Sequence, residues 1–248
     1  YLGPNGAGKS VTIKMLTGVL YPTSGTVEVD GLAPFHARRR LAERVGVLFG
    51  QRSQLSYALP PRETFELMRR MYAVPAERYR ANLQEFVDLL DLGPLMDKPV
   101  RLLSLGQRMR CELAASLLHA PRLLFLDEPT IGLDVVAKAR VRSFLADINR
   151  LRGTTILITS HDMDDLEEMA ERILMISAGE IAFDGSFEAL RGITGNLTRV
   201  AVTSGAGGVP RIRGGQLVSS EKGRFEYDVD LTEMTVRELL RQLSEAGG

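Results

Sequence analysis

The sequence predicts an α/β fold in which helices cover both faces of a largely parallel sheet. The main evidence is an alternation in the second half of the chain, where RLLFLD at 122–127, AKARVRSFLADINRLR at 137–152 and TTILITS at 154–160 follow one another. The two strand segments are continuously apolar, as expected for parallel strands that are buried on both faces. A glycine loop that leads into a helix at the start of the chain fits the same class.

The first part of the chain is predicted to be mostly sheet. Residues 1–18 contain the end of a strand, a glycine loop and a helix that opens near Gly8. PTSG at 22–25 predicts a turn, and TVEVD at 26–30 alternates like a half-buried strand. RVGVLF at 44–49 is another β-rich segment.

A helical insert is predicted between residues 60 and 120. Apolar residues recur at helical spacing in ETFELMRRMYAV at 63–74 and in RYRANLQEFVDLLDL at 78–92, which a Gly-Pro pair ends. A third helix begins near Leu105. The insert interrupts the alternation of strands and helices.

The end of the chain is predicted to close the sheet and add a small module. MDDLEEMAER at 163–172 predicts a helix, and RILMIS with EIAFDG predicts a hairpin around Ala178 and Gly179. After about Leu190 the sequence becomes rich in loops, with short strands near LTRVAVT and GRFEYDVD and a final helix that Thr235 and Glu238 cap. We expect domains at 1–190 and 191–248.

Composition excludes several classes of protein. Thirty-one basic residues balance 31 acidic ones, which gives no general attraction to nucleic acid. The single cysteine, Cys111, cannot form an internal disulfide and indicates a reducing compartment. No apolar run reaches the roughly 20 residues that a membrane-spanning helix needs, so direct membrane insertion is not expected. The chain begins at Tyr1 with neither an initiator methionine nor a secretory leader, so we expect a truncated start.

GPNGAGKS at 3–10 is a phosphate-binding pattern. Its glycines let backbone N–H groups curl around phosphate oxygens, and the following helix directs its positive end at the same place. Lys9 adds a charge near the β and γ phosphates, and Ser10 offers a hydroxyl to Mg²⁺.

RLLFLDEPT at 122–130 provides the acidic residues that such a loop needs. A buried strand delivers Asp127 to the carboxyl edge of the sheet, where α/β proteins bind ligands. We expect Asp127 to hold Mg²⁺ and Glu128 to orient and deprotonate the attacking water.

With these motifs in place, the sequence resembles the ATP-binding cassette (ABC) family from Tyr1 to about Leu190. LSLGQRMR at 103–110 is similar to the family signature LSGGQ, although Ser104 and Gln107 also fit a simple capping box. The resemblance implies a P-loop NTPase with a RecA-like core, a partial antiparallel β subdomain, an α-helical insert and a small C-terminal α+β extension. It also implies a head-to-tail dimer in which the signature contacts ATP bound to the opposite subunit.

The resemblance also assigns site residues. Glu128, Gln51 and His161 are expected to be catalytic, and Ser10, Gln51 and Asp127 are expected to bind Mg²⁺. The expected ATP contacts come from the loop, the signature and the loop after DEPT: Gly3, Pro4, Asn5, Gly6, Ala7, Gly8, Lys9, Ser10, Val11, Ser104, Leu105, Gly106, Gln107 and Asp134.

The sequence departs from the family pattern in three places. Val11 replaces a threonine that touches the α-phosphate, so nucleotide binding is expected to be weaker. Leu105 replaces the first signature glycine and adds bulk beside the phosphates of the partner. The strands and the adenine-stacking aromatic residue that precede the loop in the family are absent, and Tyr1 is too close to the loop to replace that ring.

The expected function is Mg²⁺-dependent ATP hydrolysis that powers transport across a membrane. The single cassette and the segment after Gln51 resemble the exporter branch that includes drug-resistance ATPases. The expected partners are a polytopic permease and a second cassette, identical or paralogous, and the expected location is the cytoplasmic face of the membrane. A soluble cassette ATPase of translation or DNA repair, and a subunit that binds ATP with little turnover, remain alternatives.

Overall fold

A computed structural model describes residues 1–4, 6–50, 53–160, 163–194, 197–203, 212–221, 224–230, 238 and 241–242. The chain divides into two compact units, Tyr1–Asp184 and Gly185–Gly248. The division falls a few residues before the boundary expected near residue 190. The assignment of a nucleotide-binding domain and a C-terminal module to these parts stays a prediction.

The centre of the first unit is a parallel sheet. The elements that build it are α1 (Lys9–Leu16), α2 (Arg38–Ala42), β1 (Val45–Phe49), β2 (Leu123–Asp127) and β3 (Thr155–Thr159). The strand order is β1-β2-β3, and both pairings are parallel. Phe49, Asp127 and Thr159 lie side by side in this register, so the three strands end at one edge of the sheet. The predicted parallel α/β core is confirmed.

Residue Leu2 brings the glycine loop to the same edge. Its N–H donates to the Leu174 carbonyl at 2.8 Å and its carbonyl accepts from Ile176 N–H at 2.8 Å. It forms parallel bridges to Ser160 on one side and Met175 on the other. The chain therefore enters the glycine loop from a strand position next to β3.

The hairpin predicted around Ala178 and Gly179 forms. The helix α7 (Met163–Met169) is followed by β4 (Ile173–Ser177) and β5 (Glu180–Gly185). Ala178 and Gly179 have φ of 50° and 84°, the left-handed values that a tight two-residue hairpin turn requires.

Three helices form the predicted insert: α3 (Pro61–Met71), α4 (Ala76–Leu90) and α5 (Leu105–Leu117). Helix α3 begins before the predicted start because Pro61 occupies its first turn, where the missing proline N–H costs nothing. Phe65 and Phe86 are fully buried in the insert. Phe86 meets Phe144 of α6 (Val135–Arg152) edge to face, with ring centroids 5.9 Å apart, which joins the insert to the core.

The strand predicted at 26–30 is not formed. Val29 and Leu32 exchange hydrogen bonds of 2.8 and 3.0 Å, and Asp30 with φ of 50° reverses the chain between them. The apolar alternation is real, because Val29 is buried and Val27 packs against the same cluster. Alternation predicts which side chains are buried, but a strand also needs a partner in register.

The second unit contains a three-stranded antiparallel sheet. Helix α8 (Phe187–Thr194) precedes β6 (Leu197–Thr203), β7 (Gly215–Glu221) and β8 (Arg224–Asp230), in the order β6-β8-β7. The predicted strands β6 and β8 are confirmed, whereas β7 was missed because GQLVSSE is mostly polar or small. Glu238, Arg241 and Gln242 are helical, but Thr235 lies outside the described residues, so its capping role stays a prediction.

Candidate nucleotide site

The glycine loop has the backbone geometry of an anion cradle. Gly8 has φ of 107° and stands at the N-cap of α1, a left-handed position where a side chain would be strained. A Cβ on Gly3 would lie 2.5 Å from the Ile176 carbonyl oxygen, so this close approach to β4 also requires glycine. Pro4, Gly6 and Ala7 complete the described loop, and Ala7 N–H donates to the Pro4 carbonyl at 3.2 Å. The free N–H groups at the start of α1 can bind an anion.

Lys9 is a buried cation at the centre of this loop. Its side chain is only 7% exposed, and Nζ donates to the carbonyls of Gly3 at 2.7 Å and Pro4 at 3.3 Å. No carboxylate of the described residues forms an ion pair with it. A buried ammonium group that only carbonyls satisfy is strongly stabilised by a bound anion. The loop therefore fits phosphate groups.

Oxygen atoms from two elements meet beside the loop. Ser10 Oγ, in the first turn of α1, donates to Asp127 Oδ1 at 3.0 Å. Asp127 is the last residue of β2 and is half-buried. Hydroxyl and carboxylate oxygens are the ligands that Mg²⁺ prefers in nucleotide sites. These two predicted metal ligands are together and fit the ion, whereas Gln51 lies outside the described residues.

Glu128 follows Asp127 at the edge of the sheet in an unusual backbone conformation. Its φ is 54°, a left-handed value that is rare outside glycine. Its N–H donates to the Thr159 carbonyl at 3.2 Å and to Thr159 Oγ1 at 3.1 Å. Gly50 approaches from β1 and donates its N–H to the Asp127 carbonyl at 3.0 Å. The backbone on both sides of the acidic pair is thus fixed by the neighbouring strands.

The signature segment forms an exposed, fully capped helix start. Ser104 Oγ accepts from Gln107 N–H at 3.2 Å, and Gln107 Oε1 accepts from Ser104 N–H at 3.0 Å. This is the capping box that the sequence predicts. Leu105, 41% exposed, packs its Cδ2 beside Gly132. A contact between this surface and nucleotide stays a prediction.

The loop after DEPT packs against the signature helix. Asp134 caps α6, because its Oδ1 accepts from Ala137 N–H at 2.8 Å. Gly106 is so close to Ala137 that an added Cβ would lie 3.1 Å from its side chain. Asp134 therefore has a structural role within its own subunit, and its proposed role across a dimer would be additional.

Glu112 connects the signature helix to the segment that follows β1. This buried carboxylate on α5 accepts hydrogen bonds from Ser53 Oγ and, at 3.0 Å, from Gln54 N–H. Burial raises its pKa, an effect that the hydrogen bonds from Ser53 and Gln54 oppose. Glu112 could not be recognised from the sequence, since an acidic residue on a predicted helix gives no indication that it is buried.

Three predicted site residues, Asn5, Gln51 and His161, lie outside the described residues. Val11 lies in the first turn of α1 and is 48% exposed. Thr159 was missed, although its place at the end of the strand next to Asp127 could have been found by aligning TTILITS with RLLFLD.

Loss of the Ser104 cap has a measurable expected effect. Ser104→Ala should lower the free energy of unfolding by about 1 kcal/mol, since the Gln107 N–H loses its acceptor. Ser104→Asp, which preserves a capping oxygen, should retain most of that stability. Urea unfolding of both variants checks this, and an equal loss in both would contradict the capping role.

Comparisons with known proteins agree with this site. A model of the ABC transporter family matches residues 1–131. Daunorubicin resistance ATP-binding protein DrrA3 of Streptomyces coeruleorubidus is 37% identical over 198 residues, which are 78% of this chain and 61% of that protein. Daunorubicin/doxorubicin resistance ATP-binding protein DrrA of Streptomyces peucetius is 35% identical over 245 residues, covering 95% of this chain and 71% of that protein. The chain thus spans less than two thirds of the length of DrrA3.

A solved structure confirms the fold class. It is the dimeric post-hydrolysis state of an ATP-binding cassette bound to ADP and Pi. The TM-score is 0.66 and the sequence identity is 25%, and the match covers 75% of this chain and 83% of that chain. The fold is therefore the α/β P-loop NTPase fold of the cassette, as the sequence predicts. Together with the family model and the two drug-resistance relatives, this likeness shows that the chain belongs to the ABC transporter family.

Proposed function

We propose that this chain binds ATP with Mg²⁺ and hydrolyses it to power transport across a membrane, most consistently export. The observation that carries the proposal is the buried Lys9 ammonium without a carboxylate partner in the described part of the chain, beside the Ser10–Asp127 pair. An anion would neutralise the charge of Lys9 and a cation would fit beside Ser10 and Asp127, and MgATP supplies both.

Each residue of the site has a role that its position supports. The glycine loop and α1 would bind the β and γ phosphates through N–H groups, and Lys9 would neutralise their charge. Ser10 and Asp127 would hold Mg²⁺, which when bound offsets the negative charge that develops during transfer. Glu128 would orient the attacking water and accept its proton, since hydrolysis depends on positioning and electrostatics. His161 and Gln51 complete the proposed catalytic set.

A second subunit would complete the site. The capped start of α5 exposes Ser104 and Leu105 to solvent, and a helix N-terminus of this kind attracts phosphate. In a head-to-tail dimer this surface would close over ATP that the loop of the other subunit binds. The partner cassette is either a second copy or a paralogue.

A permease is the proposed membrane partner. The described part of the chain contains no helix that could cross a bilayer. Apolar side chains are exposed in and before α3, including Tyr57, Leu67 and the 70% exposed Met71, as expected for a docking surface. The protein would then lie at the cytoplasmic face of the membrane. The drug-resistance names of its relatives support export.

Affinity purification from solubilised membranes tests the proposed function. A tagged full-length protein should retain a polytopic membrane protein, and the complex should hydrolyse ATP only when Mg²⁺ is present. Leu67→Glu combined with Met71→Glu should release the membrane protein, whereas Leu151→Glu, at an exposed position of α6, should not. Recovery with ribosomes or DNA instead would favour the soluble ATPase, and a complex without turnover would favour the binding subunit.

A further inference from the structure

Thr159 contacts both acidic residues of the site through one hydroxyl group. It is the last residue of β3 and is fully buried, at 0% exposure. Its Oγ1 donates to Asp127 Oδ1 at 2.7 Å and accepts from Glu128 N–H at 3.1 Å. The sheet register places it directly beside Asp127. One side chain is thus bonded to the side chain of one acidic residue and to the backbone of the next.

The hydrogen-bonding capacity of a hydroxyl matches this arrangement. A threonine hydroxyl has one proton and two lone pairs, so it can donate to the carboxylate and accept from the N–H at the same time. The branch at Cβ restricts the side chain to few rotamers, and burial restricts it further. Valine has nearly the same shape but can make neither bond.

The backbone of Glu128 needs such support. Its left-handed φ of 54° is strained for a residue with a side chain and persists only where the surroundings hold it. Thr159 supplies both acceptors of the Glu128 N–H, the carbonyl at 3.2 Å and the hydroxyl at 3.1 Å. This conformation sets the direction in which the Glu128 side chain leaves the strand end.

The carboxylate of Asp127 is oriented by the same contact. Ser10 and Thr159 both donate to Oδ1, at 3.0 and 2.7 Å. Within the described residues, Oδ2 accepts no hydrogen bond. One oxygen is therefore fixed by protein donors, while the other remains available to a ligand. Mutation of a residue that orients a metal-binding carboxylate commonly lowers metal affinity or activity by about 10 to 100-fold.

We propose that Thr159 is a positioning residue that sets the orientation of Asp127 and Glu128 together, and so couples metal binding to the placement of the catalytic carboxylate. The proposal rests on the proposed ATPase function of the same site. It adds a residue that lies outside the glycine loop, the signature and the acidic pair.

Three variants of the full-length protein separate the hydroxyl from its surroundings. Thr159→Val removes the hydroxyl and keeps the shape, whereas Thr159→Ser keeps the hydroxyl. Thr154→Val is the matched control, because Thr154 is also buried and directly precedes β3, at the end of the strand away from the site. Its hydroxyl donates to the Pro121 carbonyl at 3.4 Å. Circular dichroism and thermal melts first establish that each variant is folded.

The expected result is a specific effect on turnover and metal dependence. Thr159→Val should lower kcat about 10 to 100-fold and raise the Mg²⁺ concentration for half-maximal activity, with KM for ATP changed less than threefold. Thr159→Ser should stay within about threefold of the wild type, and Thr154→Val should change neither quantity. Only Thr159→Val removes the hydroxyl that contacts Asp127 and Glu128, so a general loss of stability would not produce this pattern.

Metal binding is measured independently of turnover. Electron paramagnetic resonance should show Mn²⁺ binding to the ATP-bound protein about tenfold more weakly in folded Thr159→Val than in Thr159→Ser. Equal Mn²⁺ affinity in these variants, or equal impairment of both, would overturn the proposal.

If the wild type binds MnATP without turnover, the proposed hydrolysis fails, while the Mn²⁺ comparison still decides the role of Thr159. If Thr159→Val does not fold, a wild-type response of Thr159→Ser supports the proposal and a Val-like loss of Mn²⁺ binding in it contradicts the proposal.

Discussion

Glu128→Gln should reduce ATP turnover by about 100 to 10,000-fold while ATP remains bound, because the amide can fill the space of the carboxylate but cannot accept the proton of the attacking water. The backbone of Glu128 is held by Thr159, so the glutamine side chain should start from the same position. The bound ATP should then hold two subunits together. Turnover by phosphate release and dimer formation by size-exclusion chromatography measure the two effects.

The control for this change is Glu43→Gln, which removes the same charge at an exposed position after α2. This variant should hydrolyse ATP like the wild type. Turnover in Glu128→Gln as fast as in an active wild type would exclude Glu128 as the base. If the wild type itself hydrolyses ATP as slowly as the mutant, the chain is better explained as a subunit that binds ATP with little turnover.

Lys9→Met should weaken ATP binding until it can no longer be measured, because the phosphates lose their positively charged partner. Removing one member of a buried charge interaction commonly costs about 2 to 5 kcal/mol, which is a loss of affinity of about 30-fold or more. The apo protein should change little in stability, because the lost hydrogen bonds to the Gly3 and Pro4 carbonyls are offset by no longer burying an ammonium group without a counter-charge. Titration with a fluorescent ATP analogue and thermal melting of the apo protein measure the two quantities.

The combination of these results is diagnostic. A lower melting temperature of the apo variant together with unchanged ATP affinity would assign Lys9 to the fold and contradict its role at the phosphates. Lys14→Met provides the control, since this lysine lies on the same helix outside the loop. It should bind ATP as the wild type does.

Local patterns predicted the centre of the site because its chemistry is encoded in short segments. Lys9, Ser10 and Asp127 each occupy a motif with a mechanism, and the parallel sheet then places them at one edge. The helices of the insert were also predictable, since their apolar periodicity and their Pro and Gly boundaries are strong signals.

Other features depend on pairings that a single segment does not reveal. Thr159 matters because β3 lies beside β2 in one particular register, and Glu112 matters because α5 passes the segment at 53–55. The segment at 26–30 has the alternation of a strand but closes on itself through Val29 and Leu32. In each case the decisive contact joins residues whose partners the local sequence does not specify.

We propose that each ATP site is shared between two subunits, with Lys9 from one and Ser104 from the other. The most direct test uses two tagged copies, one with Lys9→Met and one with Ser104→Asp, which retains a cap but repels phosphate. Each variant alone should be inactive. Mixed dimers purified through both tags should recover up to about half of the wild-type ATPase rate, because one of their two sites combines an intact loop with an intact signature. Mixed dimers as inactive as their parents would contradict the shared site.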